Sequence, residues 1–182
     1  MNLLEPFHDV RTFIFDVDGV MTNSELIVLE NGHLLRKMNV RDGYALKLAI
    51  KKGYRVAIIT GGKSSGVVQR LRGLGIVDIY SGVQDKIEAL EEYQYTYDLN
   101  LDHILYMGDD LPDYEVMRKV GLPACPYDAA PEILNLARYI SPRKGGQGCV
   151  RDVIEKTLKI QKQWVAHGID DLVEEDLRHD NT

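Results

Sequence analysis

The sequence predicts an α/β fold: a doubly wound, Rossmann-like parallel sheet with a β-hairpin inserted after the first strand. Short apolar runs rich in β-forming residues alternate with segments of helical periodicity, which is the pattern of successive βαβ units. Three of these runs, RTFIFDV, YRVAIIT and DHILYMGDD, are apolar on both faces, as expected for strands covered by helices on both sides. Crossovers between parallel strands are right-handed, which leaves few possible topologies.

The first half of the chain supplies two strands of the sheet and the hairpin. After RTFIFDV, the runs ELIVLE and HLLRKMNV flank Asn31-Gly32, a dipeptide typical of a two-residue hairpin turn. DGYALKLAIKKG has helical spacing and ends at Gly53, a residue type favoured just after a helix. The strand YRVAIIT then leads through a glycine turn into the helix GGKSSGVVQRLRGLG.

The second half continues the alternation. It contains the strand VDIYSG, the helix DKIEALEEYQYTYDL, the strand DHILYMGDD, the helix PDYEVMRKVG, short strands near LPACP and RYIS around the helix APEILNLA, and a helix from about Val150 to Trp164. We therefore expect a single domain over residues 1–164, followed by an acidic C-terminal tail, residues 165–182.

Composition and charge exclude several classes of protein. The net charge is −6 and no basic stripe stands out, which argues against nucleic-acid binding. No apolar stretch approaches the length of about 18 residues that a membrane span needs, and the N-terminus lacks the basic start and apolar run of a signal peptide. Cys125 and Cys149 have no CxxC spacing, so we expect reduced thiols in a cytoplasmic protein.

Acidic residues stand where two of the predicted strands end. Asp16 and Asp18 follow the first strand. Asp109 and Asp110, with Asp113 one helical turn further on, follow another. The carboxyl ends of the strands form the ligand site in such sheets, so these mutually repelling carboxylates are expected to converge on a cation. Mg²⁺ fits best, because it prefers one or two carboxylates together with water and a substrate phosphate.

Groups suited to binding phosphate occur nearby. Thr60 ends the second strand and precedes Gly61-Gly62, so its hydroxyl and the following N–H groups can hold phosphate oxygens. Lys86 lies near the start of a helix and adds a positive charge. An aspartate can attack phosphorus to give an aspartyl-phosphate, with the cations stabilising the charge on the phosphoryl oxygens. Asp18 is placed to protonate the leaving alcohol and later to deprotonate the attacking water.

DVDGVMT resembles the DxDx(T/V) signature of the haloacid dehalogenase superfamily of phosphatases. IITGG, Lys86 and GDDLPD occur in the order and spacing of the three other motifs of that superfamily. The resemblance implies that Asp16 is the nucleophile and Asp18 the general acid/base. It also implies that Thr60 and Lys86 bind phosphate, and that Mg²⁺ is held by Asp16, the backbone carbonyl of Asp18, and Asp109.

The spacing between these motifs leaves no room for a cap domain. One hairpin, one helix and one strand fill the stretch from Asp16 to Thr60, and a helix and a short strand fill that from Thr60 to Lys86. Capless members with such a hairpin are homotetramers, and the closest resemblance is to the 3-deoxy-D-manno-octulosonate 8-phosphate phosphatases of lipopolysaccharide precursor synthesis. That resemblance implies active sites completed by neighbouring subunits, with the glycine-rich segment KGGQGCVRD, residues 144–152, reaching over a neighbour's site.

The same resemblance implies a set of contacts to a phosphorylated sugar acid. The implied substrate-binding residues are Asn39, Val40, Arg41, Asp42, Gly43, Lys47, Gly61 and Arg70, together with Asp18 and Lys86. Lys47 and Gly62 stand where the family commonly has arginines. Lys47 keeps the charge without the guanidinium fork that grips a carboxylate, and Gly62 loses the charge. A nine-carbon 2-keto-3-deoxy sugar acid 9-phosphate therefore stays open as an alternative substrate.

Two further acidic residues are expected to support the catalytic site, and two other classes of function stay open. Asp113 is expected to orient Lys86 or a metal-bound water, and Asp110 either caps the following helix or supports the metal ligands. A non-catalytic binding module of the same fold would be expected to have lost a catalytic residue, and none is lost here. A phosphotransferase would need an acceptor pocket, which sequence alone does not reveal.

Overall fold

A six-stranded parallel sheet runs through the centre of the protein. The structure, a computed structural model, describes residues 4–164. In chain order its strands and helices are β1 (Thr12–Phe15), β2 (Ile27–Val28), β3 (Leu34–Leu35), α1 (Val40–Lys51), β4 (Arg55–Thr60), α2 (Ser65–Gly73), β5 (Asp78–Ser81), α3 (Lys86–Tyr97), β6 (Ile104–Met107), α4 (Tyr114–Met117), β7 (Leu122–Cys125), α5 (Pro131–Leu136), β8 (Tyr139–Ile140) and α6 (Cys149–Ile160). Short 3-10 helices span Glu5–His8, Leu101–His103 and Leu111–Asp113. The predicted acidic tail, residues 165–182, lies outside the described residues.

The strand order is β5-β4-β1-β6-β7-β8, and every neighbouring pair is parallel. β1 lies between β4 and β6, and at its end Phe15 is in register with Ile58 on one side and Met107 on the other. The predicted doubly wound α/β fold is confirmed. Among the described residues, the connections from β1 to β4 and from β4 to β5 hold only the hairpin, α1 and α2, so the expected absence of a cap domain also holds.

Alternate side chains of the strands pack on opposite faces of the sheet. Phe13 and Phe15 of β1 belong to a core that includes buried side chains of α1, α2 and α6. Ile14 points into a second core, which holds the buried side chains of α3, α4 and α5. All four residues of β1 are buried, as a strand covered on both faces requires.

The β2–β3 hairpin forms as predicted, but its loop is longer than expected. Ile27 pairs with Leu35, and the N–H of Leu29 donates to the carbonyl of His33 at 2.9 Å. Glu30, Asn31 and Gly32 therefore form a three-residue loop, in place of the expected two-residue turn. Gly32 adopts a φ of 81°, which a three-residue hairpin loop places at its last position and which glycine tolerates without strain.

Several helix boundaries differ from the sequence expectations. α1 begins at Val40, two residues earlier than expected, because the Asn39 side chain caps it by accepting from the N–H of Arg41. The segment PDYEVMRKVG is only partly helical: a 3-10 turn precedes a single turn of α4. α6 ends at Ile160 and not at Trp164.

Candidate active site

The ends of the three central strands bring the predicted catalytic residues together. Asp16 follows β1 directly, and its N–H donates to the carbonyl of Met107 at 3.1 Å, which ties the turn to the end of β6. Thr60 is the last residue of β4, and Asp109 lies two residues beyond β6. These strands are neighbours in the sheet, so their carboxyl ends form one edge, as predicted from the α/β topology.

Three carboxylates gather at this edge. Asp16, Asp109 and Asp113 each offer an oxygen within 4.8 Å of the others. Burial raises the pKa of Asp109 to about 8, with the negative charges of Asp16 and Asp113 adding to the effect. Burial also raises the pKa of Asp16, and Asp113 is the next contributor. Carboxylates in this setting ionise together readily only beside a cation, and this all-oxygen donor set suits Mg²⁺.

Lys86 is the internal cation of the cluster. It is the first residue of α3, a helix capped by the Asp85 side chain, and its own side chain is 5% exposed. Its Nζ lies 2.8 Å from Oδ2 of Asp16 and 2.7 Å from Oδ1 of Asp113. Burial opposes the charge of this ammonium group, but the two carboxylates outweigh burial and raise the pKa of Lys86. Lys86 is therefore held charged against the predicted nucleophile.

Asp113 is fully occupied in holding its neighbours. Its Oδ1 accepts from Lys86 and, at 2.6 Å, from the hydroxyl of Tyr106. Its Oδ2 accepts from the backbone N–H groups of Asp109 at 3.1 Å and of Asp110 at 3.5 Å. A Cβ at Gly108 would lie 2.4 Å from the Asp113 side chain, so glycine permits this close approach. The geometry favours the expectation that Asp113 orients Lys86, and leaves Asp16 and Asp109 as the candidate metal ligands among the three carboxylates.

Of the two roles expected for Asp110, the structure shows the capping role. Its Oδ1 accepts from the N–H of Leu111 at 2.8 Å, and together with Asp113 it forms a reciprocal capping box at the start of the 3-10 turn. This box stabilises the turn that presents both Asp109 and Asp113.

Thr60 and the two following glycines form a tight turn beside Asp16. The Thr60 side chain is buried, and its Oγ1 accepts from the N–H of Gly62 at 3.3 Å. The N–H of Val83 donates to the carbonyl of Thr60 and that of Gly82 to the carbonyl of Gly62, which anchors the turn to the loop after β5. The turn predicted to bind phosphate is therefore formed, and its phosphate-binding role stays a prediction.

Asp18 is bound by a residue that sequence reasoning missed. Nε of Arg36 donates to Oδ1 of Asp18 at 2.6 Å, and Nη2 of Arg36 donates to Oδ2 at 3.0 Å. Arg36 follows β3 on the hairpin, and 18 residues separate the partners in sequence. No motif contains Arg36. The signal available in the sequence was an arginine at the end of a strand that the inserted hairpin would carry back to the site.

The predicted substrate-binding residues line α1 and α2. Val40, Arg41 and Lys47 are exposed on α1. Arg70 of α2 packs on α1 at Gly43, where a Cβ would lie 2.8 Å from its Nη2. Gly61, in the turn after β4, is exposed. The three cationic side chains, Arg41, Lys47 and Arg70, are therefore all accessible to solvent.

Two residues of the NVRDG segment have structural contacts. Nδ2 of Asn39 donates to the carbonyl of Gly146 at 3.3 Å. Asp42 is 3% exposed, and its Oδ1 accepts from the N–H of Arg151 at the start of α6 at 2.8 Å. The expected substrate contact of Asp42 stays a prediction; in this structure its carboxylate is buried and joins α1 to α6.

The glycine-rich segment before α6 packs against the loop that follows β1. The N–H of Gly146 donates to the carbonyl of Val20 at 2.9 Å. A Cβ at Gly145 would lie 2.0 Å from the carbonyl oxygen of Gly19, so only glycine fits there. These glycines are explained by contacts within the chain. The predicted reach over a neighbour's site is not tested by a single chain.

Comparison with known proteins agrees with this geometry. Residues 71–154 match the family model described as haloacid dehalogenase-like hydrolase. The chain is 39% identical over 153 residues to 3-deoxy-D-manno-octulosonate 8-phosphate phosphatase KdsC of Salmonella typhi, covering 84% of this chain and 81% of that protein. The chain belongs to this phosphatase family within the haloacid dehalogenase-like hydrolases.

Solved structures of the family have the same fold. The enzyme from Yersinia pestis superposes with a TM-score of 0.88 at 36% identity, over 90% of this chain and 89% of that chain. The enzyme from Moraxella catarrhalis, described in complex with a magnesium ion, a phosphate ion and a KDO molecule, gives a TM-score of 0.87 at 32% identity, over 90% of this chain and 94% of that chain. Within residues 4–164, no helix is both long and apolar enough to cross a membrane.

Proposed function

We propose that the chain is an Mg²⁺-dependent phosphatase that hydrolyses 3-deoxy-D-manno-octulosonate 8-phosphate to the free sugar acid and phosphate. The observation that supports the chemistry most directly is the position of Lys86 between Asp16 and Asp113, with Asp109 beside them at the edge of the sheet. The family members that resemble the chain support the choice of substrate, since they carry the name of this phosphate ester.

The proposed reaction has two phosphoryl-transfer steps. A carboxylate oxygen of Asp16 attacks phosphorus, the bond from phosphorus to the ester oxygen breaks, and Asp18 gives its proton to the leaving alkoxide. Water then attacks the aspartyl-phosphate and passes a proton to Asp18, which releases phosphate and regenerates Asp16. Lys86, the Thr60 hydroxyl and the N–H of Gly61 bind the phosphoryl oxygens and stabilise their charge.

Asp16, Asp109 and the backbone carbonyl of Asp18 are the groups that would hold Mg²⁺. When bound, the ion supplies positive charge to the transferring phosphoryl group. The residues fit this role because the raised pKa of Asp109 reflects a site in which burial and neighbouring negative charges favour a counterion.

The sugar acid is proposed to lie over α1 and α2. Arg41, Lys47 and Arg70 are exposed cations there, and they would attract the carboxylate end of the substrate. Val40, Asn39 and the backbone at Gly43 would complete the surface that contacts the sugar acid.

We propose that the phosphatase domain, residues 1–164, works as a cytoplasmic homotetramer whose hairpins meet. Ile27 and Val28 of β2 are 62% and 69% exposed, and Leu34 and Leu35 of β3 are also exposed. A paired hairpin that presents these apolar side chains to water is stabilised by burial against other copies. A neighbouring subunit would then cover a site that has no cap domain of its own.

The test is kcat/KM with Mg²⁺ for the eight-carbon ester, for the nine-carbon 2-keto-3-deoxy sugar acid 9-phosphate, and for a hexose 6-phosphate. A strong preference for the eight-carbon ester supports the proposal. Preference for the nine-carbon ester would keep the chemistry and overturn the substrate. Failure to hydrolyse any of them, with Asp16, Asp18 and Lys86 intact, would favour a non-catalytic module or transfer to an acceptor other than water.

A further inference from the structure

Tyr106 lies in β6, at the level of the sheet just below the catalytic edge. It is in register with Ile14 of β1 and Pro123 of β7, and its side chain belongs to the second core, which α3, α4 and α5 cover. The residue is fully buried. Sequence reasoning assigns Tyr106 no role, because it is part of a strand that is apolar on both faces. Its hydroxyl nevertheless ends at the active site.

The hydroxyl of Tyr106 makes the shortest hydrogen bond that the Asp113 carboxylate accepts from the described residues. It donates to Oδ1 at 2.6 Å, and the same oxygen accepts from Nζ of Lys86 at 2.7 Å. The N–H groups of Asp109 and Asp110 are bound to Oδ2 at the longer distances of 3.1 Å and 3.5 Å. An ionised carboxylate only accepts hydrogen bonds, so the tyrosine hydroxyl is the donor.

The origin of these donors shows which of them can fix Asp113. The N–H groups of Asp109 and Asp110 belong to the same short segment of chain as Asp113 itself. Tyr106, in contrast, is a residue of the central sheet. A tyrosine side chain has only two dihedral angles, so a ring packed in a dense core holds its hydroxyl in one place. Tyr106 therefore joins the Asp113 carboxylate to the sheet.

Lys86 depends on this carboxylate for its direction. Its Nζ lies 2.8 Å from Oδ2 of Asp16 and 2.7 Å from Oδ1 of Asp113. The stem of a lysine is flexible and its ammonium group rotates, so the groups that bind it set its direction. In the proposed reaction Asp16 becomes an aspartyl-phosphate, and its carboxyl group then no longer carries the charge that binds Lys86. Among the described residues, Asp113 is the other carboxylate paired with Lys86.

We propose that Tyr106 is a positioning residue for phosphoryl transfer, which holds the Asp113 carboxylate so that Lys86 stays directed at the transferring phosphoryl group. The inference rests on the proposed function, in which Lys86 stabilises the charge on the phosphoryl oxygens. Tyr106 does not touch the substrate and acts through Asp113. Its hydroxyl is needed most after Asp16 has been phosphorylated, when the pair of Lys86 with Asp113 remains.

The kinetic test compares Tyr106→Phe with Tyr93→Phe. Each substitution removes one hydroxyl from a fully buried tyrosine of the second core. The hydroxyl of Tyr93 has no hydrogen-bond partner among residues 4–164, so Tyr93→Phe is the matched control. With 3-deoxy-D-manno-octulosonate 8-phosphate and Mg²⁺, kcat should fall about three- to tenfold in Tyr106→Phe, because one of several hydrogen bonds to a charged group is lost. In Tyr93→Phe it should stay unchanged.

A double-mutant cycle separates positioning from a general loss of stability. Asp113→Ala removes the acceptor of the Tyr106 hydroxyl. If Tyr106 acts through Asp113, adding Tyr106→Phe to Asp113→Ala should cause no further fall in kcat. Circular dichroism at the assay temperature shows that each variant is folded. A full additional fall in the double variant would mean that Tyr106 only supports the core, and would overturn the inference.

NMR of the Lys86 ammonium group gives a readout that needs no substrate. In protein with isotope-labelled lysine, the Lys86 signal is identified by its absence from Lys86→Met. We expect this signal to shift in Tyr106→Phe, because Tyr106 and Lys86 donate to the same oxygen of Asp113. The signal should keep its position in Tyr93→Phe.

The outcomes distinguish the inference from the proposed function. An unchanged kcat in Tyr106→Phe, an equal fall in Tyr93→Phe, or an unmoved Lys86 signal in Tyr106→Phe each overturns the inference. If wild-type enzyme hydrolyses p-nitrophenyl phosphate through Asp16 but not the sugar acid ester, the proposed substrate is wrong. The same comparison of variants, made with p-nitrophenyl phosphate, then decides the role of Tyr106.

Discussion

Replacing Asp42 with asparagine should stabilise the protein at neutral pH, because Asp42 is a buried carboxylate with too few partners. The N–H of Arg151 donates to Oδ1, while Oδ2 is buried without a hydrogen-bond partner among the described residues. Burial raises the pKa of Asp42 from 3.8 to about 6. That change corresponds to about 3 kcal/mol of unfavourable free energy for the ionised form in the folded state.

The sign of the pH dependence follows from the direction of this shift. The folded state binds the Asp42 proton more tightly than the unfolded state, so the contribution of Asp42 to stability falls as pH rises from 3.8 to about 6. Asparagine keeps the size of the side chain and the acceptor for Arg151 but has no charge to bury. The stability gap between Asp42→Asn and wild type should therefore be near zero at low pH and reach about 3 kcal/mol above pH 6.

The assay is chemical denaturation followed by circular dichroism at pH values on both sides of 6. Asp9→Asn is the matched control, because Asp9 is an exposed aspartate and its replacement should give no comparable gap. A gap that does not change with pH, or an asparagine variant less stable than wild type at pH 7, would refute the reasoning. Either result would mean that the Asp42 carboxylate has a stabilising partner in solution.

Three further predictions concern the site, the glycine segment and the hairpin. Asp113→Asn removes one of the two carboxylates that hold Lys86, so kcat should fall about ten- to a hundredfold in steady-state kinetics. Circular dichroism should show that the fold is retained. An unchanged kcat would contradict the role given to Asp113. Gly145→Ala should lower the free energy of unfolding by about 1–3 kcal/mol in thermal denaturation, because the added Cβ would meet backbone atoms. Gly66→Ala is the control, since nothing lies within 4 Å of a Cβ there, and it should not destabilise the protein. Equal losses of stability in the two variants would contradict the packing argument. Val28→Asp should dissociate the proposed homotetramer in light scattering, and Val77→Asp, at an exposed position outside the hairpin, should leave it assembled. A tetramer in both variants would place the interface elsewhere.

The sheet and the catalytic edge could be predicted from the sequence because each rests on local patterns. Continuous apolar runs mark strands buried on both faces, and polar residues directly after them must lie at the carboxyl edge. The order of the strands was enough to place three residues at this edge: Asp16, Thr60 and Asp109. Lys86 could be added because it starts a helix that returns to the same edge.

The contacts of Arg36 and Asp42 could not be predicted, because each depends on how two distant elements meet. Arg36 reaches Asp18 only because the hairpin folds back over the turn after β1. Asp42 is buried because α1 packs against α6, where its carboxylate accepts from the N–H of Arg151. The packing of Gly145 against Gly19 could not be predicted for the same reason, because close packing of two loops leaves no periodic signal in the sequence.

The central claim is that Asp16 becomes phosphorylated during hydrolysis of the sugar acid phosphate. The most direct measurement is rapid acid quenching of wild-type enzyme and Asp16→Asn during turnover with Mg²⁺, followed by peptide mass spectrometry. We expect a phosphoryl group on the peptide that carries Asp16 in wild type, and neither phosphopeptide nor turnover in Asp16→Asn. Phosphorylation of another residue, or sustained turnover by Asp16→Asn, would contradict it.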